Sequence, residues 1–270
     1  MGNNMMTNNP FAVLAETVPS VLLQGFVIVM LALIIIGTVI QMIHHKNITY
    51  FFNNAKKAKL SATKDLGTGE TVAIVAKTIV HDIATTSELG AGKRRVAHVL
   101  GMYGTILFWI ATVVLVFCYT SSESITPNLW SMMWHVGAIM TCVGGYWFWL
   151  FLRVDVLSEA HPWYRIIKAD LFVLALLACA TFGLAWSYTQ SLNLENRWDD
   201  KVFLILYILS NIALFGGVYW SKFAHMIYKP GAAIQKNLAE ADGSRDNLPP
   251  LADAPKQFGL GIKREQPKHY

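Results

Sequence analysis

The chain has 270 residues, 54% hydrophobic and only 14% charged, with a mean hydropathy of +0.40; ordinary soluble domains carry about 25% charged residues. This composition excludes an ordinary soluble domain and points to a chain embedded in a membrane. The formal net charge of +5 would suit a nucleic-acid partner, but the positions of the cations explain it better, and no nucleic acid is expected.

Five runs of at least twenty residues lack Asp, Glu, Lys and Arg: 17–45, 96–122, 124–152, 171–194 and 202–221. Each is long enough for the roughly 20 helical residues that cross a hydrocarbon core. The expected fold is all-α, an integral membrane bundle of five helices. Five spans divide the 22 basic residues unevenly: nine lie in 46–95, three in 153–168 and eight from Lys222 onward, against Arg197 and Lys201 alone on the other side. The positive-inside rule then predicts an outer N-terminus and a cytoplasmic C-terminus in a bacterial inner membrane crossed several times. The expected organisation is an outer segment 1–20, a membrane domain 21–228 with a cytoplasmic loop 44–95, and a polar tail 229–270.

In chain order, the first residues have no positive region before the apolar run, so Val21 to Ile43 reads as a retained helix and not a signal sequence. His44, His45 and Lys46 end it at the interface. Lys56, Lys57, Lys59 and Lys64 form a basic stretch that would attract anionic headgroups. From Thr71 to Thr85, Val72, Val75, Ile79 and Ile83 recur at helical spacing, which predicts an amphipathic helix lying on the membrane or under a partner protein. His81 and Asp82 read as a solvated surface pair.

The second helix spans about Val96 to Tyr119 and is preceded by the basic cluster Lys93, Arg94 and Arg95. A short outer loop with Glu123 and Pro127 leads to a third helix whose Trp130 and Trp134 are placed at the outer interface; Gly144 and Gly145 in it read as helix-packing residues. His161, before a proline, belongs to a turn. Asp170 stands at the start of the fourth helix, where a carboxylate is favourable. The fifth runs from Val202 to about Tyr228, stopped by Pro230 and Gly231. The tail beyond is polar, with Pro249, Pro250, Pro255 and Pro267, and is expected to order only on binding.

Cys118, Cys142 and Cys179 lie singly inside spans, so no zinc ribbon or iron–sulfur cluster finds its ligands here. Three histidines fall at membrane depth: His98, His135 and His225. His98 opens one helix and His225 closes another at the same level, where two imidazoles on facing helices can be the axial ligands of a haem. Gly101 and Gly104 would leave the helix surface bare for a flat cofactor, with Gly217 and Ser221 on the face of His225. The alternative is that each histidine caps a helix end and meets water. His135, with Tyr207 or Asn211 as hydrogen-bond partners, marks a candidate quinone pocket in the outer half; a hydrogen bond to a neighbouring helix explains His135 equally.

RRVAH followed by GMYG, ADLFVL opening the fourth helix and SKFAHMIYKP closing the fifth resemble the five-helix cytochrome b subunits of the respiratory nitrate reductase gamma and heterodisulfide reductase group. The resemblance covers about 70–230. It implies that His98 and His225 share one haem b, while the positions of a second haem's ligands hold Phe108 and Tyr207. Length, five spans, amphipathic loop and polar tail look most like the membrane protein that accompanies adenylylsulfate reductase in sulfur-oxidising bacteria. The implied partner is that soluble flavin and iron–sulfur enzyme, oxidising sulfite with AMP and passing electrons through this subunit to quinone. Two other classes compete. One is a haem-free membrane anchor for a soluble complex. The other is a small transporter, which the lack of mid-span charge and of broken helices disfavours.

Overall fold

A computed structural model describes residues 4–44, 46–89, 92–120, 125–153, 162, 164–192, 198–221, 223 and 225–244. Every regular element among them is helical. Four helices are long and apolar enough to cross a membrane: α2 (Ser20–His44), α5 (Lys93–Cys118), α6 (Asn128–Trp147, extended by a π-helical turn Phe148–Leu152) and α7 (Leu171–Ser191). Helix α8 (Trp198–Gly216) has 19 residues and carries Asp199 and Asp200 in its first turn, followed by Lys201. Its uncharged stretch is therefore shorter than theirs.

The expected continuous helix from Val202 to Tyr228 does not form. Helix α8 ends at Gly216, the chain turns through 217–221, and a new helix, α9 (His225–Ala241), begins. A Cβ at Gly217 would lie 2.6 Å from the Ala213 carbonyl oxygen and 2.9 Å from Leu171 Cδ2, so only glycine fits this turn beside α7. Pro230, expected to end a helix, lies inside α9. As the sixth residue of α9, Pro230 lies past the four N–H groups that a helix start leaves free, so the helix forgoes one backbone bond there, and the packing described below holds α9 together. Residues 229–241, expected as loose tail, are therefore helical; His45, Glu123, His161, Arg197, Lys222 and residues 245–270 lie outside the described residues.

The core begins where α5 and α6 run together with almost nothing between their backbones. A Cβ at Gly104 would meet Thr141 N at 2.6 Å, one at Gly137 would meet Phe108 N at 2.5 Å, and one at Gly144 would meet Gly101 N at 2.5 Å. Such small-residue contacts replace the hydrophobic drive that is missing between helices in lipid. Helix α7 joins through Leu177, 2.6 Å from the Cβ position of Gly145. At the same junction the buried Arg153 and Asp170 side chains pair at 2.8 Å, with the Arg153 guanidinium 4.0 Å above the Trp149 ring. Asp170 was expected as a favourable carboxylate at this helix start; its side chain makes no capping bond to α7 and instead accepts from Arg153 and from Ile167 N at 2.9 Å.

Helix α1 (Pro10–Ala15) places Phe11 in this core, against Trp134 at 5.8 Å and Trp186 at 5.6 Å between ring centroids. Asn9 caps it by accepting from Phe11 N, and its amide donates to Tyr119 O at 2.8 Å. The N-terminal segment is thus part of the bundle. Trp134 is not an interfacial ring, as its position had suggested; it is fully buried and donates to Thr112 Oγ1 at 3.0 Å.

At the end of the bundle bearing Arg94 and Arg153, three helices form a second layer. These are α3 (Asn47–Leu60), α4 (Thr68–Lys77, continued by a π-helical turn Thr78–Ile83) and α9, which packs on both. Phe51 of α3 lies 3.6 Å from the Cβ position of Gly231. Arg94 donates to Leu152 O at 2.6 Å, Arg95 to Thr85 O at 2.9 Å and Tyr103 to Ala84 O at 2.7 Å. The basic cluster that opens α5 therefore ties the layer and the exit of α6 to the bundle.

Candidate functional site

Two regions follow from this fold, one at the basic end and one inside the bundle. His98 sits in the second turn of α5 with its residue surface exposed, while His225 is the first residue of α9. His225 therefore lies outside the four helices long and apolar enough to cross a membrane, because the break after Gly216 places it in the second layer.

Of the four residues expected to cradle a haem, one remains open. A Cβ added at Gly101 would meet nothing within 4 Å, so the surface one turn from His98 is bare. Gly104 is not: the α6 backbone covers it. Gly217 is held by Leu171 and its own turn, and the buried Ser221 hydroxyl accepts from Phe223 N at 3.2 Å. Phe223 then fills the space beside α5, its ring 6.0 Å from Trp109 and nearly parallel to it, with Phe172 at 5.5 Å. The residues present fit a haem at His98 and Gly101 and do not fit it at Gly104, Gly217 or Ser221.

His135 is fully buried between α6 and α7. Its Nδ1 lies 2.7 Å from Ser131 O and its Nε2 2.7 Å from Ser187 Oγ. A carbonyl only accepts, so Nδ1 carries the proton and Nε2 accepts from the Ser187 hydroxyl. Both ring nitrogens are committed within the protein. The expected grouping of His135 with Tyr207 and Asn211 separates accordingly: Trp134 lies between, with its ring 4.9 Å from His135 and 6.5 Å from Tyr207.

Tyr207 and Asn211 instead line a half-open cavity of about 290 Å³ between α2, α5 and α8, with Phe11 and Trp186 also in its lining. Its wall includes Phe26 and Met30 of α2 and Trp109 of α5, and along α2 it extends from Leu22 to Ile34. At 1.5 Å per residue that is a slot about 18 Å long. Asn211 spends an amide proton on Tyr207 O at 2.8 Å, and Tyr207 stacks on Trp186 at 5.6 Å.

No family model, curated protein or solved structure matches this chain. The site must therefore be read from its own chemistry.

Among the described residues no group of three or more His, Cys, Asp or Glu converges on one point. The arrangement offers a half-open apolar slot along α2 and, at the basic end, a helical layer with exposed apolar side chains. Sequence reasoning had passed over Trp109, Trp186 and Phe11. The first two carried a usable signal, since tryptophans favour the interfaces and one buried mid-helix needs a separate reason. The amphipathic helix at 71–85 was expected, but the face it buries was not. Thr78 is buried against α9, while Val72 (62%), Ile79 (47%) and Val80 (69%) stay exposed.

Proposed function

We propose that this chain is a multi-pass membrane anchor that holds a soluble protein against the layer formed by α3, α4 and α9, on the cytoplasmic side of a bacterial inner membrane. The observation that carries this reading is the uncovered row of Val72, Ile79 and Val80 on a helix fastened to the bundle by Arg95 and Tyr103. A helix so fixed is a poor candidate for a loose loop, and apolar surface held in place calls for a cover. The basic residues at this end support a cytoplasmic face, and α8 as a fifth crossing would bring the chain back to that side. The resemblance in sequence suggests a redox enzyme as the partner, adenylylsulfate reductase in particular.

The test is a photo-reactive amino acid placed at Val80 in the native host, with the same residue at the buried Leu115 as control. Anchoring predicts a crosslink to one soluble redox protein from Val80 only, and loss of that protein from membranes on Val80→Glu. Crosslinks to lipid alone, with Val80→Glu leaving every soluble protein in place, would refute it.

One observation favours a second reading, in which the subunit also passes electrons to quinone through a haem b between His98 and His225: the open surface at Gly101 next to His98. When bound, such a group would supply one-electron transfer. The residues of this chain would hold it by the two imidazoles and by the room at Gly101. A visible spectrum of protein purified with its partner decides this, with Gly101→Leu expected to lower the haem content and Gly104 irrelevant to it.

A further inference from the structure

Helix α3 leaves the membrane helix α2 almost at once. Helix α2 ends at His44, Lys46 has the left-handed backbone angles φ 54° and ψ 21°, and α3 begins at Asn47. An extended chain spans at most about 3.6 Å per residue, so Ile48 lies within about 14 Å of the end of α2, and α3 stays in contact with that helix. Ile43, in the last turn of α2, is itself exposed. With α2 as a membrane helix, the first turns of α3 are held where hydrocarbon gives way to headgroups.

The helix sorts its residues by face and by position. Among its described side chains Phe51, Ala55 and Ala58 are half-buried, with Phe51 against Gly231 of α9. Away from that contact, Ile48, Tyr50 and Phe52 are exposed in the first turns, Tyr50 by 63% and Phe52 by 64%, and Lys56, Lys57 and Lys59 are exposed in the last. Ile48, Phe52, Lys56 and Lys59 follow one stripe, at i, i+4, i+8 and i+11. No Asp or Glu occurs from Thr17 to Lys64. Lys64 is paired with Glu70, whereas Lys56, Lys57 and Lys59 form no ion pair among the described residues.

We propose that α3 is an interfacial helix that binds anionic phospholipid, with Ile48 and Phe52 in the acyl boundary and Lys56, Lys57 and Lys59 on the phosphates. Exposed apolar and aromatic side chains beside cations, on a helix tethered to a membrane span, make such a surface, and lysine stems lie along apolar surface while the ammonium reaches outward. Three uncompensated cations in two turns select an anionic headgroup over a zwitterionic one. The α4 row of Val72, Ile79 and Val80 differs, since that helix carries Glu70 in its first turn and Lys77 in its last and so has no excess of charge. The bilayer takes the exposed face of α3 and leaves that of α4 to a soluble protein. The lipid site rests on the chain being embedded in a membrane and needs no docked protein to form.

The experiment reconstitutes the full chain in bilayers of equal parts dioleoyl phosphatidylcholine and dioleoyl phosphatidylglycerol, with a photo-reactive amino acid at Phe52 or, as control, at the exposed Ile28 in the middle of α2. Lipid adducts are counted by mass spectrometry. Ile28 should report the bulk mixture. Phe52 should be enriched in phosphatidylglycerol adducts at least about fivefold over Ile28, the factor for one lysine near an anionic surface. Lys56→Gln, Lys57→Gln and Lys59→Gln together should bring the ratio down to that of Ile28. High salt should do the same to the wild-type sequence, an arm that needs no variant to fold. Phe52 adducts in the bulk ratio, or an enrichment retained both in the triple variant and in high salt, would overturn the proposal. So would a Phe52 probe that labels no lipid, or one that labels a protein instead of lipid in membranes of the native host. The crosslink from Val80 tests the docking reading separately.

Discussion

The Asn237 side-chain amide donates to Asp82 Oδ2 at 2.6 Å, linking α9 to the turn after α4 across 155 residues of sequence. Asp82 also lies 2.9 Å from His81 Nδ1 and 2.7 Å from Ser87 Oγ. The carboxylate expected to be half of a solvated surface pair is therefore the joint of the layer. His81, with Ser87 and Asn237, holds its titration well below the ordinary value of 3.8.

A pH prediction follows with a definite sign. A carboxylate whose folded pKa is depressed contributes stability that is complete above its ordinary value and is lost as pH falls below it. Hydrogen exchange of the α9 amides should be flat from pH 7 to about 5 after correction for intrinsic rates, with protection falling only below about 4. Asn237→Ala should lower that protection at pH 7 by about 1.5–3 kcal/mol, the range for a lost bond to a charged group. Asp82→Asn should remove the acid-side fall altogether.

Arg153 and Asp170 make the other polar joint, inside the bundle end, with side chains only 10% and 11% exposed. Removing one partner leaves the other as a buried, uncompensated charge, so Asp170→Ala should destabilise by about 3–5 kcal/mol. Replacing both together, as Arg153→Met with Asp170→Leu, should recover most of that loss. Thermal unfolding in detergent, followed by near-UV circular dichroism, measures all three variants.

The glycines of α5 should divide sharply on substitution by alanine. Gly104→Ala forces a methyl to within 2.6 Å of Thr141 N, and separating two helix backbones should cost about 1–3 kcal/mol or more. Gly101→Ala meets open space in the same helix and should be neutral or stabilising by up to about 1 kcal/mol from helix propensity. The same unfolding assay reads both.

His135 should act on stability and not on ligand binding. Ser187→Ala leaves the Nε2 acceptor buried and unpaired, at about 1–3 kcal/mol. Binding of decylubiquinone to the folded variant should match wild type, because both ring nitrogens of His135 are committed within the protein. The sequence left two roles open for His135, a quinone donor or a hydrogen bond to a neighbouring helix, and its bond to Ser187 Oγ of α7 is of the second kind. A weakened affinity at unchanged stability would restore the first.

The apolar runs determined where the membrane helices lie, because lipid requires every backbone polar group to be satisfied within a segment and length alone then sets the element. Val21 to Ile43 was expected and Ser20–His44 is found; about Val96 to Tyr119 was expected and Lys93–Cys118 is found. The helix at 71–85 was legible from its period, though not the face it buries. What periodicity cannot express is which face meets which neighbour. Gly101 and Gly104 look alike in sequence, yet a rotation of about 300° along the helix puts one in the open and the other under the α6 backbone. His135 and Tyr207 are both deep polar residues, but the Trp134 ring divides them into separate environments. In the turn that follows α8, Leu171 Cδ2 lies 2.9 Å from where a side chain at Gly217 would start, a contact across 46 residues of sequence. Only the tertiary structure could decide these matters, since each turns on the steric and hydrogen-bonding demands of a residue far away in the chain.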